Sequence, residues 1–144
     1  MPFIDTNLGD DIKEKECAPE GAYDLVIEDY KINDKEYESN GQKTTGKVIE
    51  VFIAIDGASD DYRIVRHYLS LPNSLDDKDK ARNKALGIKR FMHLCGIPFD
   101  ASGFNTDDLP GTRFRGNLAV EVDESGKYPP QNRLEVPALP KETA

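Results

Sequence analysis

Residues 47–55, KVIEVFIAI, put Ile49, Val51, Ile53 and Ile55 on one side of an extended chain and Val48, Glu50, Phe52 and Ala54 on the other. An apolar period of two is the mark of a strand with one face in a core, and a helix cannot gather such a set onto one stripe. A second alternating segment, DYRIVRHYLSL, sets Val65, Leu69 and Leu71 inward, with His67 at the same parity, and leaves Tyr62, Ile64, Arg66 and Tyr68 on the opposite face. The intervening DGASDD is a turn, so the two segments are expected to pair as antiparallel neighbours.

A helix follows. Ser74 with Asp77 three residues on reads as a capping box, and Asp76, Asp77 and Asp79 complement the positive helix start. Ala81, Ala85, Ile88, Met92 and Cys95 recur at helical spacing, Phe91 widens the stripe, and Gly96 with Pro98 ends it. Gly87 inside this pattern disfavours the helix by about 1 kcal/mol relative to Ala, which predicts a kink or close packing there.

On the N-terminal side, GAYDLVIEDYKI has apolar residues at both parities with a change near Asp29, as in a long bent strand carrying a bulge. The stretch from Asn33 to Gly46 reads as a hairpin loop. After a connector from Ile97 to Gly111, TRFRGNLAVEVDE reads as a strand with Leu118, Val120 and Val122 inward. DESGKYPPQN is a loop, and NRLEVPAL is a short last strand with Pro137 near its end.

Three strands, a helix and two strands make a mainly β fold with one helix, an OB-fold-like five-stranded barrel with the helix between strands three and four. The organisation expected is a flexible acidic arm over residues 1–19 anchored through Phe3, Ile4, Leu8 and Ile12, the barrel over residues 20–139, and a disordered tail over 140–144.

With 144 residues and 38% hydrophobic content, the chain supports one core. No apolar run nears the roughly 20 residues that span a bilayer, and MPFIDTNLGDD has neither the basic start nor the apolar stretch of a signal peptide, so a soluble intracellular protein with no membrane contact is expected. Cys17 and Cys95 make no disulfide framework and are expected as thiols.

A net charge of -8 opposes phosphate binding, which relies on Lys and Arg displacing counterions. The charge is unevenly spread: residues 1–20 carry six acids against two bases, and residues 76–99 carry six bases against three acids. A local basic groove on an acidic chain would lean on base stacking more than on charge.

The residues suited to that task lie on the outward face of the second and third strands. Phe52, Tyr62 and Tyr68 offer aromatic platforms, Arg66 a cation that stacks or meets phosphate, and Lys43 and Lys47 a basic approach, while Lys127 and Tyr128 in the last hairpin loop are placed to close over a strand. Stacking on such rings contributes about 1–3 kcal/mol per base with little regard to sequence. Packing of the same aromatics under the N-terminal arm, or in a dimer interface, accounts for them equally well.

Cys17, His67, His93 and Cys95 show no metal-ligand spacing. The pairs Asp60 and Asp61, Asp76 and Asp77, and Asp107 and Asp108 fit a turn, a helix start and a loop. Phosphate-cradling loops and nucleophile elbows have no match, so no catalytic residue, metal or cofactor is expected.

PEGAYDLVIEDYKI, GKVIEVFIAIDG, YRIVRHYLSLPN, ALGIKRFMHLCGIP and LPGTRFRGNLAVEV, in that order across residues 19–137, resemble a family of small phage proteins related to phage single-stranded-DNA-binding proteins. The landmarks are a P-x-G-x-Y opening, an Arg in the third strand, L-P-N before the helix and L-x-G ahead of the fourth strand. The resemblance implies a barrel that coats single-stranded DNA during replication or recombination in the cytoplasm of an infected bacterium, beside a recombinase, helicase or primase. It points to Arg63, Arg66 and Tyr68 as DNA contacts. The C-terminus PALPKETA lacks the acidic, Phe-ended tip through which bacterial single-strand binders recruit partners, so that mode is not carried over. Unpaired barrel edges also favour a homodimer.

Overall fold

The computed structural model describes residues 2–58 and 60–140. Its backbone is a long hairpin, β1 (Gly21–Ser39) and β2 (Gln42–Ile55), joined by the two-residue turn Asn40-Gly41. Both turn residues have positive φ, 52° and 78°, the mark of a type I′ turn whose twist matches that of the flanking strands. The expected loop from Asn33 to Gly46 is therefore strand: the Asn-Gly pair turns the chain alone, and the polar residues around it are ladder residues on an exposed ribbon.

The expected bulge is present. Pairing jumps from Ile27 opposite Ile53 to Asp29 opposite Phe52, leaving Glu28 over. That extra residue switches the parity, so Leu25 and Ile27 before it and Tyr30 after it share the core-facing side.

β3 (Val65–Ser70) pairs with β2, β6 (Arg113–Glu121) with the first part of β1, and β7 (Gln131–Glu135) with β6, giving a five-stranded antiparallel sheet in the order β3-β2-β1-β6-β7. The sheet curls until its two edge strands approach one another, but no ladder joins β3 to β7, so the barrel expected from the sequence is not closed. Both edge strands are short, of 6 and 5 residues, and the last part of the N-terminal arm takes side-chain bonds from the groups flanking the gap.

Leu25, Ile27, Ile49, Val51, Ile53, Val65, Leu69, Leu118 and Leu134 fill the concave side, as the alternation in β2 and β3 requires. Helix α1 (Lys78–Cys95) covers it with Phe91, Met92 and Cys95. The Phe91 ring stacks on His67 at 4.8 Å between centroids and meets Phe114 edge-on at 6.3 Å, which fixes His67 on the inward parity. Burying a side chain of this size contributes about 2–3 kcal/mol.

Several details depart from the sequence expectation. Asp77, not Ser74, caps α1, accepting from the Lys80 amide at 2.7 Å, while the Ser74 hydroxyl bonds the Thr44 hydroxyl. Gly96 ends the helix in the left-handed conformation as expected. Ala85 is exposed, because the helix rotates Lys84 toward β1, where its ammonium lies 4.7 Å above the Tyr37 ring and bonds Asp76. A Cβ on Gly87 would meet open space, so close packing does not explain that glycine.

The connector after α1 holds two short pieces, β4 (Phe99–Asp100) and β5 (Gly103–Phe104), and a 3-10 turn over Thr106–Asp108. Val122 lies beyond the end of β6 and is 70% exposed. Phe3, Ile4, Leu8 and Ile12, expected as anchors of the arm, are all exposed. The expected disordered tail beyond Pro140 lies outside the described residues.

Candidate functional site

The gap between the β3 and β7 edges organises the site. The arm enters it at Lys15–Pro19, where Glu16 bridges Tyr62 in parallel and its carbonyl accepts from the Arg63 amide at 2.9 Å. Arg63 donates from Nε to the Lys15 carbonyl at 2.7 Å and from a terminal nitrogen to the Pro130 carbonyl at 2.9 Å, tying the arm to the β6–β7 loop. On the far side the Asn132 side chain exchanges two bonds with the Ala18 backbone, and Ala18 is fully buried.

The arm leaves most of the gap open. A groove of about 900 Å3 runs between the strands, lined by Lys13, Lys15 and Cys17 of the arm, Arg63 and Ile64 just before β3, Arg66 and Tyr68 on β3, and Arg133 and Leu134 on β7. Among the described residues five cations line it against two carboxylates, Glu14 and Glu121, and Glu121 already pairs with Arg133 at 3.2 Å. On a chain of net charge -8, this is a local reversal of sign.

Arg66 and Phe52 are directly paired across β3 and β2, and the guanidinium carbon stands 5.8 Å from the ring centroid. That distance is within cation–π range, and Arg66 is itself exposed. No ion pair holds Arg66 among the described residues. One pair further along, the Tyr68 hydroxyl donates to Glu50 at 3.0 Å while the residue stays 53% exposed. The hydrogen bond to Glu50, and secondarily burial, push the Tyr68 phenol above its ordinary range, so it remains a neutral donor near neutrality.

The residues expected to bind therefore separate into groups. Arg63, Arg66 and Tyr68 line the groove, with Phe52 beneath Arg66. Lys127 and Tyr128 sit on the β6–β7 loop, the ammonium 5.5 Å from its neighbour's ring, and Arg63 links that loop to the start of β3. Tyr62 is half-buried against the core and does not line the groove. Lys43 lies one pair from the hairpin turn, and Lys47 is held by Asp34 at 2.8 Å, so both stand on the distal ribbon away from the groove.

The arm and β7 contributions went unread in the sequence: Lys13, Lys15 and Cys17 sit in a segment without apolar period, and Asn132 and Arg133, in the segment read as the last strand, carried no site signal of their own. The one available signal was composition, two Lys alternating with two Glu just before Cys17.

His67 faces the groove from its inner wall, and burial lowers its pKa, so the ring is neutral near pH 7. Burial pushes the Cys95 thiol up to about 12, leaving it a packed, unreactive group. Among the described residues no group of three or more His, Cys, Asp or Glu side chains is placed to hold a metal ion, and no helix is long and apolar enough to cross a membrane. No protein-family model matches this chain, and no curated protein matches it.

Proposed function

We propose that this chain is a non-enzymatic, largely sequence-independent single-stranded-DNA-binding protein, an unclosed member of the OB-like barrels, that holds the strand in the β3–β7 groove. The observation that carries the reading is Arg66: an arginine without an acidic partner among the described residues, in cation–π contact with Phe52, beside an exposed Tyr68, at the lip of a cationic groove in an acidic protein. A guanidinium there meets phosphate while the ring of the exposed Tyr68 takes a base, the combination by which single strands are gripped without base readout. The strand order β3-β2-β1-β6-β7 and the helix between β3 and β6 support the OB-like assignment, with β4 and β5 as a small insertion.

The order of the quoted segments supports a setting in phage DNA replication or recombination in the cytoplasm of an infected bacterium, beside a recombinase, helicase or primase. Overall acidity fits that role, because it weakens indiscriminate attachment to duplex DNA. A second reading, a protein-interaction or virion accessory module, is favoured by the unpaired strand edges and the exposed apolar residues of the arm.

Fluorescence anisotropy with labelled oligo-dT, a matched duplex and a matched RNA at two salt concentrations separates the two. Preferential binding of oligo-dT with a shallow salt dependence, lost in Arg66→Ala/Tyr68→Ala, supports the first. No binding to any of the three at low salt overturns it and leaves the interaction module.

A further inference from the structure

The arm upstream of the groove has a composition of its own. Residues 2–12 contain Asp5, Asp10 and Asp11 and no base, interleaved with Phe3, Ile4, Leu8 and Ile12, which stand 91%, 78%, 81% and 58% exposed. A local turn gives this segment shape: the Asn7 side chain donates to Asp11, the Gly9 amide donates back to Asn7, and the Ile12 amide bonds the Gly9 carbonyl. Four large apolar side chains on a shaped acidic segment are a docking surface without its partner.

The groove is the complement of that segment. It presents Ile64 and Tyr68, both exposed, among Arg63, Arg66 and Arg133, so apolar contacts and opposite charge coincide. Flanking it are two strand edges that lack a ladder partner among the described residues, able to take an extended chain by backbone pairing.

The segment's direction decides whose groove it meets. Glu16 and Tyr62 bridge in parallel, so the chain before Glu16 runs opposite to the direction in which Arg66 and Tyr68 follow Tyr62. Beyond Lys13 the arm leaves its own groove: none of residues 2–12 lines it, and Phe3, Ile4, Leu8 and Ile12 stay exposed. With the Gly9–Ile12 turn opened, residues 2–12 span at most about 35–40 Å, enough to cross to a neighbouring molecule.

We propose that the acidic arm, residues 2–12, docks in the β3–β7 groove of a second copy of this chain. Self-association and strand binding then compete for Arg66 and Tyr68, a consequence that rests on the proposed function, whereas the docking itself does not. DNA would release the arms and free them on each coated molecule.

Sedimentation velocity from low micromolar to several hundred micromolar protein tests this, with the triple variant Phe3→Ser/Ile4→Ser/Leu8→Ser and with Arg66→Glu. The wild-type chain is expected to gain mass reversibly with concentration, and each variant to weaken association at least tenfold. The substituted arm residues are exposed, so folding is not at stake; circular dichroism checks Arg66→Glu. The sequence has no Trp, so Phe3→Trp supplies a single reporter whose emission should shift to the blue as the wild-type groove is titrated against it.

A wild-type chain that stays monomeric throughout, or a triple variant that associates like wild type, overturns the proposal. If the triple variant binds oligo-dT normally but self-associates unchanged, the arm proposal fails and the DNA reading stands. If arm-dependent association is found and oligo-dT is not bound, the reverse holds.

Discussion

Ala18 and Asn132, 114 residues apart, clasp each other through two hydrogen bonds: the Ala18 amide donates to the Asn132 side-chain oxygen at 2.7 Å, and the Asn132 side-chain nitrogen donates to the Ala18 carbonyl at 2.8 Å. The primary amide thereby imitates the backbone of a neighbouring strand and pins the arm where the sheet fails to close. Asn132→Ala leaves both backbone groups of a buried residue unpaired, and the expected loss is about 2–3 kcal/mol in urea unfolding. Amide exchange at Ala18 should accelerate with it. Unchanged stability would mean that the clasp is incidental.

The distal ribbon is held by a different device. A Cβ on Gly46 would come 2.5 Å from Cε2 of Tyr37, whose ring also carries the Lys84 ammonium. Gly46→Ala is expected to destabilise by about 1–3 kcal/mol through displacement of that ring. In Tyr37→Ala the same change should be nearly neutral, so a double-mutant cycle reads the coupling directly. Additive effects would place the cause elsewhere.

Stability should fall on mild acidification because of His67. Its folded pKa lies below the ordinary 6.5, so the unfolded chain takes up a proton first as pH falls. The sign follows: the contribution is complete above about pH 7 and is lost as pH falls from there toward the folded pKa. Asp76, Asp100 and Asp123 are held below the usual carboxylate range by hydrogen bonds from Asn73, Ser102 and Ser125 respectively, so their contributions persist above about pH 4 and are lost only beneath it. Thermal melts of wild type and His67→Gln between pH 7 and 5 check this, and the variant should show the flatter profile.

The two cysteines should differ sharply in reactivity. Cys95 is buried with its thiol pushed up to about 12, whereas Cys17 is half-buried at the groove. Maleimide labelling of the native protein followed by peptide mass mapping should modify Cys17 alone, and Cys95 only after unfolding. Prompt labelling of Cys95 would contradict the packing of α1 on the sheet.

How far the sequence could be read depended on whether a segment is half-buried. β2 and β3 were legible because Ile49, Val51, Ile53, Val65 and Leu69 each face a core and imprint a period of two. Gly96 likewise announced the helix end through its left-handed backbone. The outer half of the first hairpin was not legible, since neither face of the ribbon is buried as a stripe and only Asn40-Gly41 betrayed the turn. At the site, the shared outward face of Phe52, Arg66 and Tyr68 followed from parity, whereas the Arg66–Phe52 pairing depends on a register that only the structure shows. The groove opposite was not legible either, because it depends on Asn132 and Arg63 binding the backbone of an arm that has no period at all.

The central claim, that the β3–β7 groove holds a single strand, is tested most directly by the rate of Cys17 labelling with and without saturating oligo-dT. Cys17 lies in the groove with Arg63, Arg66 and Tyr68, so a bound strand should slow its modification at least tenfold, and Arg66→Ala/Tyr68→Ala should abolish the protection. Oligo-dT that binds yet leaves the Cys17 rate unchanged would place the strand on another face and contradict the account.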